Sequence, residues 1–181
     1  MADTLRLFFA LAPPAPLREA LGRWQRDQPG LEGASRPDGL HVTLAFLGPR
    51  PASGLPALEA LGARVAARHR AFPLATGGLG GFPEGARARV LWLGLAPSPA
   101  LEALAADLRE ALAAAGEPFD PKPFRAHLTL ARLRRARSLA DFPAPRPATF
   151  EAEALRLYES RPGGQYLPVR VWNLGSSTAG V

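Results

Sequence analysis

The sequence predicts a mixed α and β chain built as two facing copies of one lobe. Three observations carry that prediction. A near-identical heptad occurs twice, HVTLAFL at 41–47 and HLTLARL at 127–133. The two copies lie 86 residues apart in a chain of 181, close to half its length. The predicted helices and strands alternate, and their alternation restarts midway, as duplication of a lobe would make it do.

Residues 5–11 form a short apolar run that reads as a strand, ended by Pro13-Pro14. Over 16–28, Leu17, Leu21 and Trp24 recur at helical spacing, with Pro29-Gly30 as a stop. Residues 40–47 make the first motif strand, closed by Gly48-Pro49. A second amphipathic helix covers 55–71 on Leu55, Leu58, Leu61 and Val65. The segment 72–82 reads as a strand interrupted by Gly77-Gly78 and Gly80-Gly81, and 90–95 as an uninterrupted one. A third helix spans 98–115. Beyond the proline-spaced segment 118–124 comes the second motif strand, 126–133. Two further strands are expected at 149–159 and 166–174, separated by the turn Arg161-Pro162-Gly163-Gly164. Residues 175–181 read as a flexible tail. With 47% hydrophobic residues, one domain over 1–181 can bury its own core.

Cysteine is absent, the N-terminal MADTLRLFF has no basic stretch leading into a long apolar one, and no run approaches eighteen apolar residues. The expectation is a soluble cytoplasmic protein with no membrane contact. The net charge is +6, with twenty-one arginines against the single Lys122. A pI near 11.1 suits a polyanionic partner, and a planar guanidinium suits phosphate and base stacking. The bias toward Ala, Arg, Gly, Pro and Leu throughout the chain also fits a GC-rich genome or a heat-adapted protein.

The heptads hold two of the three histidines. With six threonines in the chain, chance would place Thr two positions after two of three histidines only about three times in a thousand. On a strand, His41 shares a face with Thr43, and His127 with Thr129. A pseudo-twofold would set the two pairs on opposite walls of a groove, with room for a phosphate between them. An imidazole near its ordinary pKa can accept a proton while its twin donates one, which is what in-line attack at phosphorus needs. The threonine hydroxyls would hold the non-bridging oxygens.

Neither a metal nor a covalent nucleophile is required. A metal site would want at least three ligands, and neither heptad holds a Cys, Asp or Glu. The bland alternative is two strands carrying hydrogen-bonded histidines, which leaves the duplication unexplained. His69, in Arg68-His69-Arg70, reads as a solvated helix end. Arg125, Arg132 and Arg36 read equally as surface charge or as phosphate and base contacts. Phe46 and Arg132 both stand five residues after their His, an odd offset that points away from the His-Thr face unless the strand bulges.

The paired H-x-T-x motifs resemble those of the 2H phosphoesterase superfamily, in particular its bacterial and archaeal RNA 2',3'-cyclic phosphodiesterase branch, also called 2'-5' RNA ligase. The resemblance rests on RLFFALAPP at 6–14, LHVTLAFLG at 40–48, GGFPEGARARVLWLGL at 80–95, KPFRAHLTLAR at 122–132 and LYESRPGGQYLPVRVW at 157–172. It departs at Pro37-Asp38-Gly39-Leu40, where Asn-Leu is usual, and at Ala126, where Pro is common. It implies an α+β bilobal fold, each lobe an antiparallel sheet with helices, around a groove. It also implies hydrolysis of RNA 2',3'-cyclic phosphate to a 2'-phosphomonoester without a cofactor, reversible toward 2'-5' ligation. By motif position, His127 would be the general base and His41 the general acid, an assignment the near-identical motifs themselves leave open. Thr43 and Thr129 would grip the phosphate, and Phe46 and Arg132 would stack the terminal nucleobase. A monomer is expected. Two other readings stand beside this one: a phosphodiesterase for small cyclic nucleotides such as ADP-ribose cyclic phosphate, and a non-enzymatic module that binds RNA 3' ends.

Overall fold

The computed structural model describes residues 3–85 and 87–176. Its elements run β1 (Thr4–Leu11), α1 (Ala15–Arg26), β2 (Val42–Pro51), α2 (Leu55–Ala67), β3 (Phe72–Phe82), β4 (Arg87–Leu95), α3 (Pro99–Ala114), β5 (His127–Ser138), β6 (Thr149–Ala152), β7 (Ala154–Arg161) and β8 (Gln165–Asn173). The strands form two four-stranded sheets, ordered β2-β1-β7-β8 and β5-β4-β3-β6, with every pairing antiparallel. A motif strand stands at one edge of each. The chain reaches both in the same way, through β1-α1-β2 in one half and β4-α3-β5 in the other, so the duplicated heptads sit in duplicated units.

Period-2 burial shapes the first sheet. Leu7, Phe9 and Leu11 of β1 enter the main apolar core, while Phe8 and Ala10 join Tyr158, Phe46 and Tyr166 on the other face. The main core draws on both sheets and all three helices: Leu44 and Leu157 from one sheet, Leu93 and Leu128 from the other, and Leu21, Leu61 and Leu108 from the helices. Helix α2 packs on β7, β8 and α3, and α3 packs on β2. Ser98 caps α3 through its Oγ, which accepts from the Leu101 amide at 3.3 Å. Gly62 lets α2 lie on Trp172, because a Cβ there would come within 2.5 Å of the indole.

Four expectations need correction. The strand expected over 149–159 is two strands: β6 pairs with β3 in one sheet and β7 with β1 in the other, and the chain changes sheets at Glu153. The interruption of β3 expected at two glycine pairs occurs at one. Only Gly77-Gly78 leaves the ladder, while Gly80 and Gly81 pair with Trp92 and Leu91, and a Cβ at Gly80 would lie 2.1 Å from the Trp92 ring. His69 is no solvated end. It follows α2 and its Nε2 meets the Asp107 carboxylate at 2.8 Å, with Arg68 on the same carboxylate at 2.7 Å. The tail does not begin at Gly175, whose amide donates to the His69 carbonyl at 2.9 Å and whose carbonyl accepts from Ala71 at 2.6 Å. Residues 177–181 of the expected tail lie outside the described residues. No described helix is long and apolar enough to cross a membrane.

Candidate active site

Each motif strand is bent by a β-bulge at the same place. In β2, Phe9 pairs with Ala45 and Ala10 with Thr43, so Leu44 is the extra residue. In β5, Leu91 pairs with Ala131 and Trp92 with Thr129, so Leu130 is. Both stand three residues after the motif His. An extra residue reverses the alternation beyond it. Leu44 and Ala45 are both buried, as are Leu130 and Ala131, and the next residues, Phe46 and Arg132, come round to the side of Thr43 and Thr129. The odd offset from His is thereby resolved in favour of the shared face.

The two imidazoles are held alike. The Nδ1–H of His41 donates to the Gly39 carbonyl at 2.7 Å, and that of His127 donates to the Arg125 carbonyl at 2.7 Å. With Nδ1 so engaged, Nε2 is left for the groove, as a bare lone pair in the neutral ring or a donor in the charged one. The unusual residues before the first motif set this geometry. A single 3-10 turn, Pro37–Gly39, places the Gly39 carbonyl, and Gly39 also lets Tyr166 approach to where a Cβ would meet its ring at 2.9 Å.

Their surroundings differ. His41 lies among Phe8, Tyr166 and Tyr158, with ring centroids at 4.7, 4.8 and 6.2 Å. His127 meets Phe82 at 5.4 Å and Trp92 at 5.9 Å. Burial holds His41 down to about 4, helped by the charges of His127 and Arg132 and opposed by the bond to Gly39. Burial also lowers His127, with Arg125 and Arg132 acting the same way and the bond to Arg125 opposing. Arg132 therefore lies within electrostatic reach of both rings.

A cavity of about 370 Å³ joins the two halves, of the size small ligands occupy. Thr43 and Phe46 line it from β2, and Phe82, Phe124, Arg125 and His127 from the other half. His41, Thr129 and Arg132 are not in that lining, which Phe46 shares with Phe82 and Phe124. The Arg6 guanidinium covers the Phe46 ring at 4.8 Å, and Arg125 lies over Phe82 at 5.5 Å while pairing with Glu84. Arg36 is paired with Asp38 on the surface at 3.3 Å. Sequence reasoning passed over Phe8, Tyr158, Tyr166, Phe82, Phe124 and Trp92. The run of glycines in β3 was the available signal for the last, since small residues opposite a tryptophan make room for it. Among the described residues, no group of three or more His, Cys, Asp or Glu is placed to hold a metal ion.

Two four-stranded antiparallel sheets, each carrying a His-x-Thr motif on an edge strand, are the architecture of a two-histidine phosphoesterase. The chain belongs to the 2'-5' RNA ligase superfamily, whose family model matches residues 13–164. It is 36% identical over 182 residues to the RNA 2',3'-cyclic phosphodiesterase of Escherichia coli, covering 96% of this chain and 99% of that one. It is 37% identical over 159 residues to the enzyme of the same name from Thermus thermophilus, covering 82% and 76%. The crystal structure of E. coli LigT complexed with 3'-AMP superposes with a TM-score of 0.81 at 34% identity, covering 95% of this chain and 99% of that one.

Proposed function

We propose that the groove takes the 2',3'-cyclic phosphate end of an RNA and hydrolyses it to a 2'-phosphomonoester by paired histidine catalysis, and that a 5'-hydroxyl attacking in place of water, with the same 3' oxygen leaving, would form a 2'-5' linkage. The single observation that carries this reading is the matched fixing of both imidazoles, Nδ1–H to a carbonyl two residues back, which leaves two Nε2 atoms for one substrate. His127 is the general base on water and His41 the general acid that protonates the departing 3' oxygen. Thr43 and Thr129 hold the non-bridging oxygens, and Arg132, whose charge is felt at both rings, offsets the developing negative charge. The terminal base enters the cavity against Phe46, with Phe82 and Phe124 opposite and Arg125 at its wall.

His41 must be charged to act as the acid, and in the free protein it is held neutral at pH 7. The anionic phosphodiester supplies the opposite charge that raises it on binding. One observation favours the reversed assignment: the ring held to about 4 is already a bare base before substrate arrives. The two assignments share the same site and differ in which variant a better leaving group would rescue. Soluble and monomeric action on RNA, as expected of a cytoplasmic enzyme, completes the reading.

The test is incubation of a labelled RNA oligonucleotide ending in a 2',3'-cyclic phosphate, in EDTA, with 2'- and 3'-phosphate products resolved. The expected result is a clean 2'-phosphate that disappears with His41→Ala. An unchanged cyclic end with folded wild-type protein would overturn the reading in favour of an RNA-end binding module. Turnover of a small cyclic nucleotide alone would move the substrate to that class.

A further inference from the structure

Leu44 and Leu130, the two bulge residues, have their carbonyls claimed by side chains from the opposite halves of the chain. The Gln25 Nε2 of α1 donates to the Leu130 carbonyl at 2.7 Å and to the Ser35 carbonyl at 2.9 Å. The Arg109 Nε of α3 donates to the Leu44 carbonyl at 3.2 Å, and its Nη2 donates to the carbonyls of Lys122 at 2.8 Å and Asp120 at 3.4 Å. Ser35 lies between α1 and the first motif, and Asp120 and Lys122 lie between α3 and the second. Each side chain therefore ties the bulge of the opposite motif strand to the segment leading into its own half's motif.

Backbone bonds run beside the side chains. Ser35 donates to the Leu130 carbonyl and Arg132 to the Gly33 carbonyl, each at 2.8 Å, and Asp120 donates to the Phe46 carbonyl at 2.8 Å. The crossing of Gly33 and Arg132 demands glycine, since a Cβ at Gly33, already at φ +65°, would stand 1.9 Å from the Arg132 oxygen. Gln25 is 5% exposed, so its amide could not trade these partners for water without moving. Loss of either side chain would remove a donor that reaches the bulge from the opposite half, leaving the Leu130 carbonyl to Ser35 alone, and would free the strand to slide by one residue, which would turn Phe46 or Arg132 off the catalytic face.

We infer that Gln25 and Arg109 are a pseudo-symmetric pair of positioning residues that hold the bulges of the two motif strands, Arg109 setting Phe46 and Gln25 setting Arg132. The inference rests on the proposed function for what Phe46 and Arg132 do, and on the hydrogen bonds alone for what holds them. The two clamps differ in their targets, which separates them from general structural support, and because Arg109 also lines the cavity, displacement of its bulge is what separates positioning from direct contact with the base.

The test is a crossed set of double variants assayed on an RNA oligonucleotide ending in a 2',3'-cyclic phosphate. Phe46→Ala is expected to raise KM about tenfold in the wild-type background, as loss of a stacking platform does. In Arg109→Ala the same change should add about twofold or less, while Arg132→Ala keeps its full effect there. With Gln25→Leu the pattern reverses. Arg109→Lys, which keeps a cationic donor, should restore most of the Phe46 effect. Equal effects of Phe46→Ala in all backgrounds would overturn the inference. So would equal erosion of the Phe46 and Arg132 effects by both clamp variants. If Arg109→Ala or Gln25→Leu fails to fold, Arg109→Met, which keeps the stem without a donor, and the near-isosteric Gln25→Glu carry the same crossed comparison. Crystal structures of the clamp variants should show the corresponding bulge displaced and the other in place. If the wild-type protein turns over no cyclic phosphate, the proposed function fails, and those structures decide the clamps: both bulges unmoved would contradict them.

Discussion

The two motif strands share His, Thr, a bulging leucine and the same hydrogen bond behind the imidazole, yet they give their histidines different surroundings. On β2, His41 is enclosed by Phe8, Tyr158 and Tyr166, and its proton affinity collapses to that of a ring with a pKa of about 4. On β5, His127 borders an open cavity beside Phe82 and Trp92 and is lowered by burial and two arginines. Duplication supplied two copies of one device, and the closer aromatic rings around His41, at 4.7 and 4.8 Å against 5.4 and 5.9 Å at His127, made them unequal.

The largest effect expected follows removal of either imidazole. Both His41→Ala and His127→Ala should lower kcat by about a thousandfold, the usual worth of a positioned acid or base. A single variant near the wild-type rate would end the case for a working pair. Thr43→Val and Thr129→Val should each cost about a hundredfold in kcat, as removal of one donor to a developing oxyanion does, read from initial rates at saturating substrate.

The pH dependence separates the two rings further. Activity needs one ring neutral, so kcat/KM falls as pH drops through that ring's pKa; it needs the other charged, so kcat/KM also falls as pH rises through the second. Both free-protein values lie below the ordinary 6.5, and kcat/KM reports the free protein, so the optimum should sit on the acid side of that value. An optimum above pH 7 would contradict the environments described for both rings.

The smallest effect expected lies outside the groove. Burial alone would raise Asp107, but hydrogen bonds from Arg68 and His69 hold it below the usual carboxylate range. A carboxylate lowered on folding contributes stability above its unfolded pKa and loses it as pH falls through the folded one. Asp107→Asn should therefore cost about 1 kcal/mol in urea unfolding at pH 7, in keeping with a part-exposed pair, and the gap should close in strong acid.

Much of this was legible in the sequence because local spacing encodes it. Leu17, Leu21 and Trp24, or Leu55, Leu58, Leu61 and Val65, mark helices whose ends fall within a few residues of α1 and α2. The His-x-Thr repeat marked the two edge strands, β2 and β5. What the sequence hid is non-local. That Phe46 and Arg132 return to the catalytic face depends on bulges at Leu44 and Leu130, and the carbonyls of those bulges are bonded to Arg109 and Gln25, 65 and 105 residues away. The change of sheet at Glu153 leaves no mark in a β-rich run, because both halves alternate alike. His69 was misread since its partner, Asp107, comes from another helix.

On the proposed mechanism the two matching motifs handle two different protons, and a leaving-group substitution probes that division at its source. With a cyclic substrate whose 3' bridging oxygen is replaced by sulfur, departure no longer needs a proton. His41→Ala should regain most of its lost rate on this substrate while His127→Ala does not. Rescue of His127→Ala instead would reverse the roles, and rescue of neither would contradict proton donation by either histidine to the leaving group.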